Sequence, residues 1–293
     1  MTQEPTVLFC VGATKAGTSW FYHHLAQHPD CHLRTIKELH YFDMLETGKF
    51  ARYQKMLAAQ DAGLAAMAAK RGHKADLDVR HQDLADWLAV VDRQREDIPA
   101  YLTYLTDGSM GRAVVADITP AYALLPEVRL RQMASIAADV RFVYLLRDPV
   151  ARLWSQARML AMRAVTNATD FPAKAIAQMS QILDGIAAGK KDREDYVGAL
   201  TRLSAAVPPQ RLMVMFQDEM MTPPGLARLS GFLGIASRPA NFARRVLEGA
   251  PLALAADLHE RARAVLRPQY DFVARQFPNL PESWHQNMCE VHG

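Results

Sequence analysis

Lys15 lies inside the run Gly12-Ala13-Thr14-Lys15-Ala16-Gly17-Thr18-Ser19-Trp20, between an apolar stretch, Val7 to Val11, and an amphipathic segment, Phe21 to Gln27. Two glycines spaced Gly-x4-Gly, after a strand and before a helix, make a turn whose main-chain N–H groups and helix N-terminus cradle an anion. A lysine inside that turn adds a positive charge. The chemistry suited to such a loop is holding a phosphate and stabilising negative charge that develops on its oxygens.

The position of the lysine separates two classes. In a nucleoside triphosphatase loop the lysine directly follows the second glycine, and a Ser or Thr after it holds Mg²⁺. Here Thr18 stands in the lysine's place and Lys15 precedes Gly17. The loop is suited to a 5′-phosphate but not to clamping a γ-phosphate, and no metal is expected. A small-molecule kinase using Mg-ATP is the alternative that the loop alone permits.

A second segment, Arg147-Asp148-Pro149-Val150-Ala151-Arg152-Leu153-Trp154-Ser155, follows the apolar run Arg141 to Leu146. Pro149 suits the first turn of a helix. Arg147 then falls at a strand end and Ser155 about two helical turns on, where a planar guanidinium and a hydroxyl can hold a second phosphate. Taken alone, the pattern is better explained by Arg147 closing a helix or pairing with Asp148.

The elements that must position these residues are strands and helices in alternation. Val7 to Val11, Val114 to Ala116, Arg141 to Leu146 and Leu212 to Phe216 are short, nearly continuous apolar runs, the pattern of strands buried on both faces. Apolar residues at three- and four-residue spacing predict helices over Thr18–Gln27, Glu127–Ala137, Val150–Val165, Lys174–Ala188, Asp192–Ala205 and Leu226–Leu233. The alternation predicts a three-layer α/β/α fold with a central parallel sheet and ligands at the carboxyl ends of the strands. Between Arg52 and Gly111 the chain is alanine-rich and strongly charged, including Lys70 to Lys74 and His81 to Glu96. It is expected to form a helical insertion that caps the fold and serves as a substrate lid. Residues 1–293 are expected to form a single domain.

The chain has 293 residues, half of them hydrophobic, and a formal net charge of +3. That charge is too mild for a nucleic-acid partner, though it suits an anionic small molecule. Cys10, Cys31 and Cys289 are odd in number and widely spaced, forming neither a metal-ligand pattern nor a disulfide framework. Met1 to Thr6 is short and polar, and no apolar run approaches the roughly 20 residues of a membrane span. These features predict a cytoplasmic, soluble protein.

The two phosphate segments together resemble the sulfotransferases that use 3′-phosphoadenosine 5′-phosphosulfate. The resemblance implies that Lys15 touches the bridging oxygen and sulfuryl group and that Ala16, Gly17, Thr18 and Ser19 wrap the 5′-phosphate. It also implies that Trp20 lies near the nucleotide and that Arg147 with Ser155 holds the 3′-phosphate, leaving adenosine 3′,5′-bisphosphate as product. Lys37-Glu38-Leu39-His40-Tyr41-Phe42-Asp43 is similar to a segment of the heparan-sulfate-type and bacterial carbohydrate branch, whose glutamate is a general base in several members. Glu38 is thereby implied as base, with His40 its rival. Asp117-Ile118-Thr119-Pro120-Ala121-Tyr122 is similar to the Glu-Lys-Ser-Pro-x-Tyr segment of the same cleft, except that Ile118 replaces the lysine. Tyr196 matches a recurrent Tyr-x-x-x-Leu helix of the nucleotide site, and ordinary packing explains it as well. Leu212 to Asp218 with Gly231 to Gly234 is similar to the closing strand and helix of the family. The acceptor implied is a hydroxyl on a carbohydrate, glycolipid or related metabolite, and the transfer is in line, as for phosphoryl groups.

Overall fold

The computed structural model describes residues 4–71, 75–242 and 251–288; Gly72 to Lys74 of the charged run and Cys289 lie outside them. Five strands, β1 (Thr6–Gly12), β2 (Cys31–His32), β3 (Val114–Asp117), β4 (Val140–Leu146) and β5 (Leu212–Phe216), form one sheet in the order β2-β3-β1-β4-β5. Every pairing is parallel. Val7 to Val11 are all buried, since helices cover both faces of the sheet, and this accounts for a strand without polar alternation. The four predicted strands are present with the boundaries shifted by at most a residue. The edge strand β2 was not anticipated, because two residues carry no periodicity.

With β1 between β3 and β4, the chain leaves β1 toward one edge of the sheet and later crosses to the other side. The carboxyl ends of β1, β3 and β4 therefore open on one crevice, the switch point at which α/β sheets bind ligands. Gly12 sits opposite Tyr144 in the β1–β4 ladder, beside an irregularity in register. A Cβ there would stand 2.3 Å from the Tyr144 ring, so only glycine lets the strand end pass.

Helices occupy the expected segments, with boundaries set by caps. Asp148 caps Pro149–Ala164 by accepting from the Ala151 N–H at 2.7 Å. Asp195 accepts from the Gly198 N–H, so that helix starts at Tyr196 rather than at Asp192. Helices Tyr41–Thr47, Gln217–Met220, Ala256–Gln276 and Glu282–Met288 were not foreseen. The last brings Trp284 into the core, fully buried against Tyr196, Phe216 and Tyr270. Truncating a tryptophan so placed costs about 3–5 kcal/mol.

The insertion consists of helices Phe50–Arg71, Ala75–Val91 and Ile98–Thr106. It is fastened to the sheet by Arg34, a buried guanidinium just beyond β2. Arg34 pairs with Asp83, Asp86 and Asp107 and lies 4.4 Å above the Tyr104 ring. Among the described residues, no helix is long and apolar enough to cross a membrane.

Candidate active site

Three strand ends supply the site. β1 runs into the loop Ala13 to Gly17, in which Lys15 and Gly17 both have positive φ (69° and 92°). The loop is pinned to the neighbouring strand by the Ala13 N–H, which donates to the Leu145 carbonyl at 2.8 Å. Gly17 precedes helix Thr18–Ala26, and a Cβ on it would stand 3.0 Å from the Met220 methyl. Space and conformation thus both select glycine. The arrangement directs a helix N-terminus and the loop N–H groups toward the crevice.

At the end of β4, Arg147 Nη1 donates to the Lys15 carbonyl at 3.0 Å. Asp148 does not compete for this guanidinium, because its carboxylate accepts from the Ala151 N–H and, at 2.5 Å, from the Tyr270 hydroxyl. Tyr196 is fully buried. Its hydroxyl donates to the Arg147 carbonyl at 2.7 Å and accepts from the Arg147 N–H at 3.3 Å. Tyr196 therefore acts on the main chain of Arg147. Behind the loop, fully buried Arg152 donates to the Thr14 carbonyl and to Gln156, while its Nε and Nη2 have no partner among the described residues. Arg193 donates to the Thr14 hydroxyl at 3.2 Å.

The loop is strongly electropositive. Burial holds the Lys15 ammonium below its ordinary pKa, and Arg147, Arg163, Arg158 and Lys37 lower it further. Burial likewise lowers Arg147. Cations gathered this closely in a partly desolvated crevice form a site for a multiply charged anion. Lys37 was read only as part of a motif, and Arg158 and Arg163 were not singled out. Their spacing from Ser155, about one and two turns along one helix, is the signal that could have found them. Ser155 itself is half-buried on that helix.

The third strand end supports the segment that carries Glu38 and His40. Glu38 and His40 both have left-handed φ (67° and 58°), a conformation unusual for their residue types. The Glu38 carboxylate is 38% exposed; one oxygen accepts from Lys37 Nζ at 2.5 Å and the other lies 3.7 Å from His40 Nε2. His40 Nδ1 lies 2.7 Å from the Asp43 carboxylate, which also accepts from the Tyr53 hydroxyl at 3.0 Å. An imidazole donating from Nδ1 to Asp43 presents Nε2 to Glu38. The segment rests on Asp117 at the end of β3. That fully buried carboxylate accepts from the hydroxyls of Thr119 (2.6 Å), Tyr101 (2.8 Å) and Tyr122 (2.8 Å). The Tyr122 hydroxyl in turn accepts from the Tyr41 N–H at 2.9 Å, and the Thr119 hydroxyl from the His40 N–H at 3.5 Å. Burial raises the Asp117 pKa against these bonds. Ile118 is buried, facing the core rather than the crevice.

On the outer side of helix Thr18–Ala26, Trp20 stacks on His24 (centroids 5.2 Å apart) and Phe242 (6.0 Å). Trp20 and His24 border a cavity of about 470 Å³ that Arg238 and Asn241 also line. Burial pushes the thiols of Cys10 and Cys31 up to about 12, which leaves them unreactive.

A family model described as the sulfotransferase family matches residues 5–237. The fold is similar to that of a sulfotransferase from Alicyclobacillus acidocaldarius, at a TM-score of 0.60 and 19% identity over 97% of this chain and 99% of that one. It is also similar to the sulfotransferase domain of the Synechococcus PCC 7002 olefin synthase, at a TM-score of 0.53 and 14% identity over 96% and 97%. A search of curated proteins found no match.

Proposed function

Because the chain belongs to the sulfotransferase family, we propose that its crevice takes 3′-phosphoadenosine 5′-phosphosulfate and transfers the sulfuryl group to a hydroxyl acceptor. The observation that carries this reading is the meeting of Arg147 with Lys15 on a glycine-framed loop at two paired strand ends, with further positive charge from Lys37 and Arg158. The loop and the helix N-terminus suit the 5′-phosphate, with Ala16, Gly17, Thr18 and Ser19 around it. Arg147 and Ser155 suit the 3′-phosphate, and Tyr196 fixes Arg147 from behind. Trp20, buried in its stack with His24 and Phe242, borders a cavity and stands near the nucleotide in this reading. The helical insertion, about residues 52–111, serves as the acceptor side of a single catalytic domain. The buried, high-pKa thiols fit a reducing cytoplasm.

In the transfer, the bond between sulfur and the bridging phosphate oxygen breaks while a bond from the acceptor oxygen to sulfur forms. The acceptor proton passes to the Glu38 carboxylate, and the bisphosphate leaves carrying the displaced charge. Lys15 and the loop N–H groups stabilise that charge, and Arg147 keeps the Lys15 main chain in position. Lys37 holds the Glu38 carboxylate at the crevice, and His40, oriented by Asp43, stands 3.7 Å from the other oxygen. The cations of the chain balance the donor's charge, so the reaction needs no metal ion.

The test is calorimetric titration with adenosine 3′,5′-bisphosphate and, separately, ATP with and without Mg²⁺. The expected result is bisphosphate binding that persists in a chelator and is weakened in Arg147→Ala, with Lys15→Ala abolishing turnover. Preference for Mg-ATP with no response to the bisphosphate would overturn the reading in favour of a kinase.

A further inference from the structure

A second cavity, of about 540 Å³, opens between the loop helix and the insertion and begins where the donor site ends. Ser19 of the anion-binding turn and Lys37, the cation that holds Glu38, line its inner end. Ile36, Leu64, Met67 and Leu84 form an aliphatic patch on its wall, beside the polar Tyr22, His23, Thr35 and Gln60. Met67 is 39% exposed, an apolar side chain left partly facing solvent on an alanine-rich helix. Arg80, exposed on the next helix, supplies a cation to the same cavity.

Gly63 lines this space from the interior of helix Phe50–Arg71. A glycine there costs roughly 1 kcal/mol of helix propensity relative to alanine. No turn requires it, since its φ is not positive, and a Cβ would meet nothing within 4 Å. Its effect is to leave the cavity open. The volume lies within the range of small-molecule sites. Against Ile36, Leu64, Met67 and Leu84 a hydrocarbon chain buries apolar surface, worth about 25 cal/mol per Å², whereas the hydroxyls of a sugar find no partner on those four side chains.

We infer that this cavity is the acceptor site and that it selects a hydroxyl carried on an aliphatic body with an anionic group at its far end, rather than a free sugar. The inference rests on the sulfotransferase reading above. The hydroxyl enters at Lys37 and Glu38, the hydrocarbon lies along the insertion, and the anion meets Arg80.

The experiment uses the full chain with 3′-phosphoadenosine 5′-phosphosulfate and two probe acceptors, 10-hydroxydecanoate and methyl glucoside, with bisphosphate calorimetry on the same samples. The expected result is sulfation of 10-hydroxydecanoate in preference to methyl glucoside. Gly63→Phe, which fills the cavity, lowers kcat/KM for 10-hydroxydecanoate by at least about tenfold while bisphosphate affinity is retained. Met67→Glu, a change at an exposed position, does the same, and Arg80→Ala raises KM with little change in kcat. If Gly63→Phe loses bisphosphate binding, Met67→Glu decides the outcome. Bisphosphate binding without turnover of 10-hydroxydecanoate, or turnover indifferent to both substitutions, overturns the acceptor inference and leaves the sulfotransferase reading standing. Failure to bind the bisphosphate at all overturns the latter.

Discussion

The guanidinium of Arg147 donates to the main-chain carbonyl of Lys15 at 3.0 Å, so the second phosphate segment holds the backbone of the first. The residues are 132 positions apart and meet because β1 and β4 are paired neighbours. Arg147 thus has a structural task toward the loop, to which the proposed function adds an electrostatic one toward the ligand.

Arg147→Ala is accordingly expected to weaken adenosine 3′,5′-bisphosphate binding by about 1.5–3 kcal/mol, the range for hydrogen bonds to charged groups. Arg147→Lys keeps the charge but cannot reach the carbonyl with the same fork, and recovers only part of the loss. Calorimetry on both variants checks this.

Glu38→Gln is expected to lower kcat by about 10²–10⁴ with bisphosphate affinity unchanged, because the base is lost and the donor site is not. Asp43→Asn removes the ion-pair partner of His40 at Nδ1 and should have a smaller effect. A larger loss in His40→Ala than in Glu38→Gln, measured in steady-state kinetics, would transfer the role of base to the imidazole.

The lowered Lys15 pKa gives donor binding a defined pH dependence. An anion beside the ammonium favours its protonated form, so binding raises the pKa again. Affinity is full below the lowered value and declines as pH rises through it, starting below the ordinary 10.5. Calorimetry in buffers of different ionisation enthalpy should show proton uptake on bisphosphate binding in that window, and Lys15→Met should abolish it.

Asp117 should be felt in both stability and turnover. Its folded-state pKa is raised, so the folded protein binds that proton more tightly than the unfolded chain does, and its contribution to stability falls as pH rises above 3.8 through the raised value. Asp117→Ala leaves three buried hydroxyls without an acceptor and is expected to cost about 3 kcal/mol or more in urea denaturation. With the support of the Glu38 segment removed, residual activity should fall further than bisphosphate affinity does.

Much of the fold was legible in the sequence because the sheet is buried on both faces. Strands such as Val7 to Val11 and Leu212 to Phe216 then carry their own apolar signature, and the loops after them follow directly. Lys15, Gly17 and Arg147 could be read because each lies immediately beyond such a strand. The start of the Tyr196 helix was misplaced because a cap depends on one side chain accepting from one N–H, which apolar spacing does not register. Strand β2 and helix Tyr41–Thr47 are too short to show a period.

The sequence by itself determined the parallel α/β architecture and the two segments suited to phosphate, because both follow from local pattern and from residue types at strand ends. The tertiary structure decided which groups meet. Pairing of β1 with β4 brings Arg147 to Lys15, the crossing at β3 sets Asp117 beneath His40, and the insertion walls the cavity beside Lys37. These relationships join residues tens of positions apart, and their energies depend on burial and distance, which exist only once the chain has packed.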